Sequence, residues 1–140
     1  MDVHTPAQRS FNMSRIRSRD TKPEHKVRSL LHKLGYRFRL HLGNLPGCPD
    51  IVLPKYRTLI YVHGCFWHRH EGCRFSTTPA TNTGKWLKKF QENIARDTRN
   101  QKEAQQLGWT SIVVWECETR DSTELSCRLD SLLKSKIEGV

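Results

Sequence analysis

One segment, VHGCFWHRHEGC at residues 62–73, constrains this chain more than any other part of its sequence. It contains Cys65, His70 and Cys73 in a C-x4-H-x2-C pattern. Thiolate and imidazole groups at such short spacing allow one loop to wrap a tetrahedral zinc ion. The segment therefore predicts a structural zinc site, and the alternative is that the cysteines are reduced and pack as small apolar residues.

A structural zinc site needs a fourth protein ligand. Cys117 follows a predicted strand and is the best candidate, while Cys48 and Cys127 are alternatives. The chain has five cysteines, an odd number, and its polar N-terminus does not resemble a signal peptide. These features favour metal binding over a disulfide framework and indicate a cytoplasmic protein. No apolar run approaches the roughly 18 residues of a membrane span.

The basic charge indicates a polyanionic partner. The net charge is +10 and the pI is about 9.8. Residues 1–41 hold ten Arg and Lys against three acids, which favours a binding face for nucleic acid. Residues 1–20 lack a clear apolar period and are predicted to form a basic arm. The alternative is a basic soluble protein with no such partner.

Local patterns predict an α/β fold in a single domain, residues 1–140. A helix is predicted to begin at Thr21 and end at Gly35, with an apolar face of Val27, Leu30, Leu31 and Leu34. A second helix is predicted at 85–107, with a buried face of Trp86, Leu87, Phe90 and Ile94. A third is predicted at 122–134, with an apolar side of Leu125, Leu129, Leu132 and Leu133.

Four strands are predicted between these helices, at 36–40, 50–53, 58–63 and 111–116, and a turn is predicted at 44–49. The resulting order is helix, three strands, a loop, helix, strand, helix. It predicts layers of helices around a short mixed sheet.

Several polar residues are candidates for phosphodiester chemistry. Asp50 precedes a predicted buried strand, where a carboxylate can hold Mg²⁺, although Pro-Asp is also common in turns. Val62 and His63 follow about one hairpin later, so a cation and a histidine could act together on a phosphate. Asp97 is either a solvated surface acid or a partner that orients a histidine. For Glu24, a helix-capping role is favoured over catalysis.

Phe66 and Trp67 have two interpretations. They could pack beneath the zinc loop. Alternatively, they could form a wedge that unstacks base pairs, which costs least at a weak or mismatched pair.

With these features together, the chain resembles the very short patch repair (Vsr) DNA mismatch endonucleases. The matching segments are RSFNMSRIRSRDTKPE (9–24), LPGCPDIVLPKYRTLIYVHGCFWHRH (45–70), PATNTGKWLKKFQENIARD (79–97) and LGWTSIVVWEC (107–117). The resemblance implies a restriction-endonuclease-like core, a structural zinc and a Mg²⁺-dependent site. It further implies a monomer that nicks DNA on the 5′ side of the T in a T·G mismatch left by deamination of 5-methylcytosine.

Carried over by position, the resemblance implies roles for individual residues. Asp50 would be the Mg²⁺ carboxylate and Val62 would offer its carbonyl oxygen. His63 would act in the hydration shell of that ion. His68, oriented by Asp97, would be the general base or proton-transfer group.

The remaining implied roles are those of an acid that supports the active site, the zinc ligands and the DNA contacts. Glu24 would be a supporting acid near the site. The zinc ligands would be Cys65, His70, Cys73 and Cys117. The DNA contacts would come from the wedge and from the basic arm, namely Phe66, Trp67, Asn12, Met13, Arg15, Arg17 and Arg19. A companion mismatch-repair protein is a further candidate partner.

The chain departs from the family pattern at two places. Val62 stands where the family carries threonine, and RHEGC (69–73) is one residue longer than expected between the zinc ligands. The site also lacks the lysine of ordinary restriction-type nucleases, so histidine must carry the proton transfer. Two other functions remain open: a zinc-stabilised DNA-binding module without catalysis, and an endonuclease of the same fold that cuts unmismatched DNA.

Overall fold

The computed structural model describes residues 21–40 and 42–138. Within them, three helices and four strands follow in the predicted order: α1 (Lys22–Lys33), β1 (Arg39–Leu40), β2 (Ile51–Leu53), β3 (Thr58–His63), α2 (Thr83–Gln106), β4 (Thr110–Trp115) and α3 (Ser122–Glu138). The predicted basic arm, with its proposed DNA contacts Asn12, Met13, Arg15, Arg17 and Arg19, lies outside the described residues.

The strands form one mixed sheet in the order β1-β2-β3-β4. The first three are antiparallel neighbours, and β2 and β3 form a hairpin around a short 3-10 turn at Pro54–Tyr56. β3 and β4 are parallel, so the chain must cross over between them, and α2 makes that crossing. The prediction of an α/β fold with a mixed central sheet is confirmed.

Helices cover both faces of the sheet. α1 and α3 pack on one face, where the core includes Val27, Leu31, Ile51, Ile60, Val114, Leu125, Leu129 and Leu133. α2 lies on the other face, where Ala104 packs with Val52, Leu59 and Tyr61. Side chains alternate along a strand, so His63 falls on the α2 face with Leu59 and Tyr61.

The first helix follows its sequence signals closely. The Thr21 hydroxyl accepts a hydrogen bond from the Glu24 backbone N–H at 3.4 Å, which confirms Thr21 as the N-cap. Val27, Leu30 and Leu31 are buried. Gly35 takes a left-handed φ of 88° just after the helix, as expected at a C-terminal stop.

Three details of the predicted elements are wrong. The strand at 36–40 is reduced to Arg39–Leu40, because only these residues pair with β2. On α2, Leu87 and Ile94 are 47% and 45% exposed instead of buried. On α3, Leu132 is likewise 39% exposed, although Leu125, Leu129 and Leu133 are buried.

The inward stripe of α2 is more polar than the predicted face with Leu87 and Ile94. It runs through Trp86, Phe90, Asn93, Asp97 and Ala104 at steps of three, four and seven residues. Part of this stripe faces a cleft instead of the sheet, so polar residues occupy inward positions. No helix in the described ranges combines the length and apolarity that a bilayer crossing requires.

Candidate active site and metal-binding cluster

Asp50 and Val62 meet at one end of the β2–β3 hairpin. The Val62 N–H donates to Asp50 Oδ2 at 2.7 Å, and the Asp50 N–H donates to the Ile60 carbonyl at 3.1 Å. In an antiparallel ladder the N–H and C=O of one residue point to the same neighbour. The Val62 carbonyl therefore lies on the same edge of β3 as the Asp50 carboxylate.

The turn before Asp50 is held from two sides. The Tyr61 hydroxyl donates to the Pro46 carbonyl at 2.7 Å. Gly47 has a left-handed φ of 71°, and a Cβ atom there would stand only 2.7 Å from the Asn100 side chain on α2. Only glycine allows this close approach, so β3 and α2 together fix the turn that presents Asp50.

The carboxyl of Asp50 is half-buried and lies beside a second acid. Burial raises its pKa to about 7, the Val62 N–H opposes that shift, and the neighbouring Glu24 raises the pKa further. Glu24 is only 2% exposed and accepts a hydrogen bond from Arg28 at 3.2 Å. Glu24 thus lies beside Asp50, not only at a helix cap. The buried Glu24 carboxyl, the half-buried Asp50 carboxyl and one guanidinium form a site suited to a cation.

Two histidines and an aspartate form the opposite wall. The His63 and His68 rings stack in parallel with centroids 3.9 Å apart. His68 Nδ1 lies 2.6 Å from Asp97 Oδ2. An ionised carboxylate only accepts, so Nδ1 carries the proton in this bond and Nε2 is the other ring nitrogen. Burial, followed by the neighbouring His68, lowers the pKa of His63 to about 4.

These groups line one open cleft of about 560 Å³. The structure brings Asp50, Val62, His63, His68 and Asp97 together in it, as their predicted shared site requires. The sequence reasoning missed three further lining residues from α2: Arg96, Asn100 and Gln101. The signal for two of them was their spacing of three and four residues from Asp97.

A second cluster lies just beyond β3 and β4. The ligand atoms of Cys65, His70, Cys73 and Cys117 all lie within 4.8 Å of one another. His70 Nδ1 stands 3.7 Å from Cys65 Sγ and 3.4 Å from Cys117 Sγ. Tetrahedral zinc would place sulfur and nitrogen ligands about 3.6 Å apart, so this donor set fits zinc.

The surroundings of the cluster support its geometry. The Cys117 N–H donates to Cys65 Sγ at 3.4 Å, and the His70 ring stacks on Trp115 at 4.3 Å. Burial raises the pKa of Cys65 to about 12, whereas the Phe75 backbone N–H lowers that of Cys73. Buried thiols resist ionisation unless a cation is near, and a bound metal would supply that cation.

An aromatic group lies beside the two clusters and is defined here as Phe66 and Trp67 of the loop with Trp86 and Phe90 of α2. Phe66 contacts the other three rings edge to face, at centroid distances of 5.1 to 5.5 Å. Trp86 also lies 5.7 Å from Trp67. Phe66, Trp67 and Trp86 are half-buried and Phe90 is buried, so the group packs on α2 while keeping exposed surface.

Comparison with known proteins identifies the family. Residues 1–74 match the family model described as DNA mismatch endonuclease Vsr. The chain is 47% identical over 132 residues to the type II nicking enzyme V.XorIIP of Xanthomonas oryzae pv. oryzae, covering 94% of this chain and 96% of that protein. It is 44% identical over 137 residues to the DNA mismatch endonuclease Vsr of Escherichia coli, covering 98% and 85%.

A third relative is the type II nicking enzyme V.NmeAIP of Neisseria meningitidis, 42% identical with 99% of each chain covered. The chain therefore belongs to the Vsr family of endonucleases, as its motifs predicted. Its substrate is DNA, and its family places it in DNA repair.

Proposed function

We propose that this chain nicks one DNA strand on the 5′ side of the T in a T·G mismatch produced by deamination of 5-methylcytosine, and so starts very short patch repair. The observation that carries the proposal is that Asp50, Val62 and the His68–Asp97 pair share one cleft. The half-buried Phe66 and Trp67 lie in the same loop as His68. Cutting and base-stack distortion can therefore act at one place on the DNA.

Asp50 and the Val62 carbonyl would hold Mg²⁺. The buried, doubly acidic surroundings of Asp50 fit a hard cation with oxygen ligands. When bound, Mg²⁺ would neutralise the charge that develops on the phosphate oxygens. Because the ligand from residue 62 is a backbone oxygen, valine can serve where the family carries threonine.

His68 would accept the proton of the attacking water. Asp97 fixes Nδ1 as the protonated nitrogen, which leaves Nε2 as the basic atom. His63 remains neutral because its pKa is about 4, so it would hydrogen-bond water near the phosphate without adding charge. Glu24 would support the site by holding Asp50 beside the Arg28 guanidinium.

DNA would be gripped from two sides. Phe66 and Trp67, braced by Trp86, would enter the base stack from the major groove, where a T·G pair costs less to unstack than a matched pair. The basic arm, including Met13, would bind the opposite, minor-groove side. We place this activity on nucleoid DNA in the prokaryotic cytoplasm, carried out by a monomer with a companion repair protein as a candidate partner.

The test is a duplex with a single T·G pair, labelled on either strand and incubated with Mg²⁺. We expect one cut, 5′ to the mismatched T, and an intact opposite strand. Cleavage of both strands would contradict the nicking mechanism. Binding with no cut in either Mg²⁺ or Mn²⁺ would support the non-catalytic module instead.

A second candidate function is cutting of unmismatched DNA at a specific sequence. This function is considered because the relatives V.XorIIP and V.NmeAIP are named type II nicking enzymes. A panel of mismatches and matched pairs within randomised flanking sequence separates the two. Cutting that follows the flanks and ignores the mismatch would favour this second function.

Zinc in the cysteine-histidine cluster would hold the loop that carries both His68 and the aromatic pair. We expect about one zinc per chain by elemental analysis. Cys117→Ser should lose that zinc, lower the thermal midpoint and reduce nicking together, because metal binding and folding are coupled. Cys127→Ser, at an exposed position on α3, is the matched control. It should retain the zinc, the thermal midpoint and the nicking rate of wild type. Full activity after zinc removal would refute the coupling.

Nicking should depend on pH through Asp50. Its pKa is raised to about 7, so below pH 7 a proton competes with Mg²⁺ and above pH 7 the carboxylate is free. The Mg²⁺ concentration for half-maximal nicking should therefore fall as the pH rises from 6 to 7 and level off by pH 8. Equal half-maximal concentrations at pH 6 and pH 8 would be inconsistent with this assignment.

A further inference from the structure

We propose that Arg69 is a positioning residue that holds the Phe66–Trp67 pair in the orientation needed to enter the base stack. This inference rests on the proposed function of that pair. Arg69 stands between His68 of the cleft and His70 of the cysteine-histidine cluster. Its φ of 56° lies in the left-handed region that residues other than glycine rarely adopt. An arginine at such a position points to side-chain contacts that offset the strain.

The guanidinium of Arg69 makes four hydrogen bonds to two parts of the loop. Nη1 donates to the carbonyls of Phe66 at 3.3 Å and Thr77 at 2.8 Å. Nη2 donates to the Ser76 carbonyl at 3.0 Å and to Thr78 Oγ1 at 3.2 Å. These bonds match the number of N–H groups on the two terminal nitrogens. Arg69 is therefore engaged within the protein, and its charge serves neutral acceptors instead of a DNA phosphate.

The same guanidinium also stacks on aromatic rings. Its Cζ lies 3.9 Å from the centre of the Phe90 ring and 5.8 Å from that of Phe66. Phe90 is 3% exposed and belongs to α2, the helix that also supplies Asp97. Arg69 thus joins the start of the loop, residues 76–78 and the helix behind them.

This arrangement orients the aromatic pair before DNA arrives. The cysteine-histidine cluster fixes Cys65 and His70 on either side of the pair, and Arg69 fixes the Phe66 carbonyl between them. A pre-oriented pair loses less conformational freedom on binding and keeps the scissile phosphate aligned with His68. Lysine has the same charge but lacks the planar fork, so it cannot replace these contacts.

The experiment compares wild type with Arg69→Lys on a T·G duplex that carries 2-aminopurine beside the mismatch. Fluorescence reports unstacking, and single-turnover nicking reports catalysis. We expect Arg69→Lys to bind within about twofold of wild type, because its charge is kept. Its fluorescence rise should be smaller, and its nicking rate should fall about 10- to 100-fold. Arg74→Lys, at an exposed arginine that stacks on Phe75 at 4.8 Å, is the matched control and should equal wild type.

Zinc content and the thermal midpoint distinguish positioning from general damage to the fold. If Arg69→Lys unfolds or loses zinc, Thr78→Val is measured instead. This variant removes one hydrogen-bond acceptor of Arg69 at an exposed position. That variant should show a smaller loss of fluorescence and rate in the same direction. Wild-type values of both quantities in the folded Arg69→Lys protein would overturn the inference. Weaker DNA binding with an unchanged nicking rate would also overturn it. When Thr78→Val is measured in place of Arg69→Lys, wild-type fluorescence and nicking rate in Thr78→Val would overturn it as well.

The outcome also separates this inference from the function on which it rests. If wild-type protein produces no fluorescence rise on the T·G duplex, the wedge function fails and the role of Arg69 fails with it. If wild type unstacks and nicks the duplex while both variants match it, the role of Arg69 alone is refuted.

Discussion

Asp50→Asn should reduce the rate of strand nicking by about 10³-fold or more. The reduction corresponds to losing about 4 kcal/mol of transition-state stabilisation, which is the scale expected when a metal carboxylate is removed. The amide oxygen can still accept the Val62 N–H now bonded to Asp50 Oδ2 at 2.7 Å. The local backbone should therefore be kept while the charge is lost. Single-turnover nicking of a T·G duplex measures the rate.

The same substitution should stabilise the fold when no metal is present. The folded-state pKa of Asp50, about 7, lies above its ordinary value of 3.8, so stability falls as the pH rises through that window. At pH 8 the half-buried Asp50 carboxyl is mostly ionised beside Glu24, and asparagine removes that charge. We expect a higher thermal midpoint at pH 8 for Asp50→Asn. Glu92→Gln, at an exposed acid on α2, is the control for both readings and should resemble wild type.

An active Asp50→Asn enzyme would refute the metal-ligand assignment. A lower thermal midpoint at pH 8 would refute only the electrostatic account of the buried carboxyl pair. The two measurements therefore test separate parts of the site.

His68→Ala should reduce nicking by about 10² to 10⁴-fold, the usual contribution of general acid–base catalysis. DNA binding and zinc content should be unchanged, because His68 is outside the cysteine-histidine cluster. His25→Ala, at an exposed histidine of α1, is the matched control. Nicking by His68→Ala at the wild-type rate would exclude it as the proton acceptor.

Asp97→Asn tests how His68 is oriented. The 2.6 Å contact between Asp97 and His68 Nδ1 favours the tautomer protonated at Nδ1. An amide nitrogen facing Nδ1 would favour the tautomer protonated at Nε2. The rate should fall, because a ring protonated at the other nitrogen no longer offers Nε2 as the basic atom. Nicking by Asp97→Asn at the wild-type rate would indicate that Asp97 does not act through the histidine.

Much of the site follows from local spacing. The hairpin distance between Asp50 and Val62 suggested that the two lie close together, and their hydrogen bond shows it. Cys117 was the best candidate beside the cysteine-histidine motif because it follows a strand. The parallel register, with His63 opposite Trp115, explains why Cys65 and Cys117 emerge side by side.

Other parts depend on packing that sequence patterns do not reveal. Glu24 carried a valid capping signal, so its burial beside Asp50 could not be read from the helix start. The apolar pattern predicts Leu87 and Ile94 on the inner face of α2, but both are exposed. The actual inner face is polar along the cleft, and polar cleft residues have the same sequence signature as solvated ones. Arg69 looked like one of many basic residues, because nothing local indicates the carbonyls that surround it.

The central claim is that this endonuclease recognises a T·G mismatch and cuts beside it using the cleft of Asp50 and His68. Its most direct test is the single-turnover nicking rate on two duplexes that differ only at one base pair, T·G against T·A, in Mg²⁺ and the same flanking sequence. We expect a rate on T·G at least about 10²-fold higher, since unstacking a matched pair costs a few kcal/mol more. Equal rates on the two duplexes would contradict the claim.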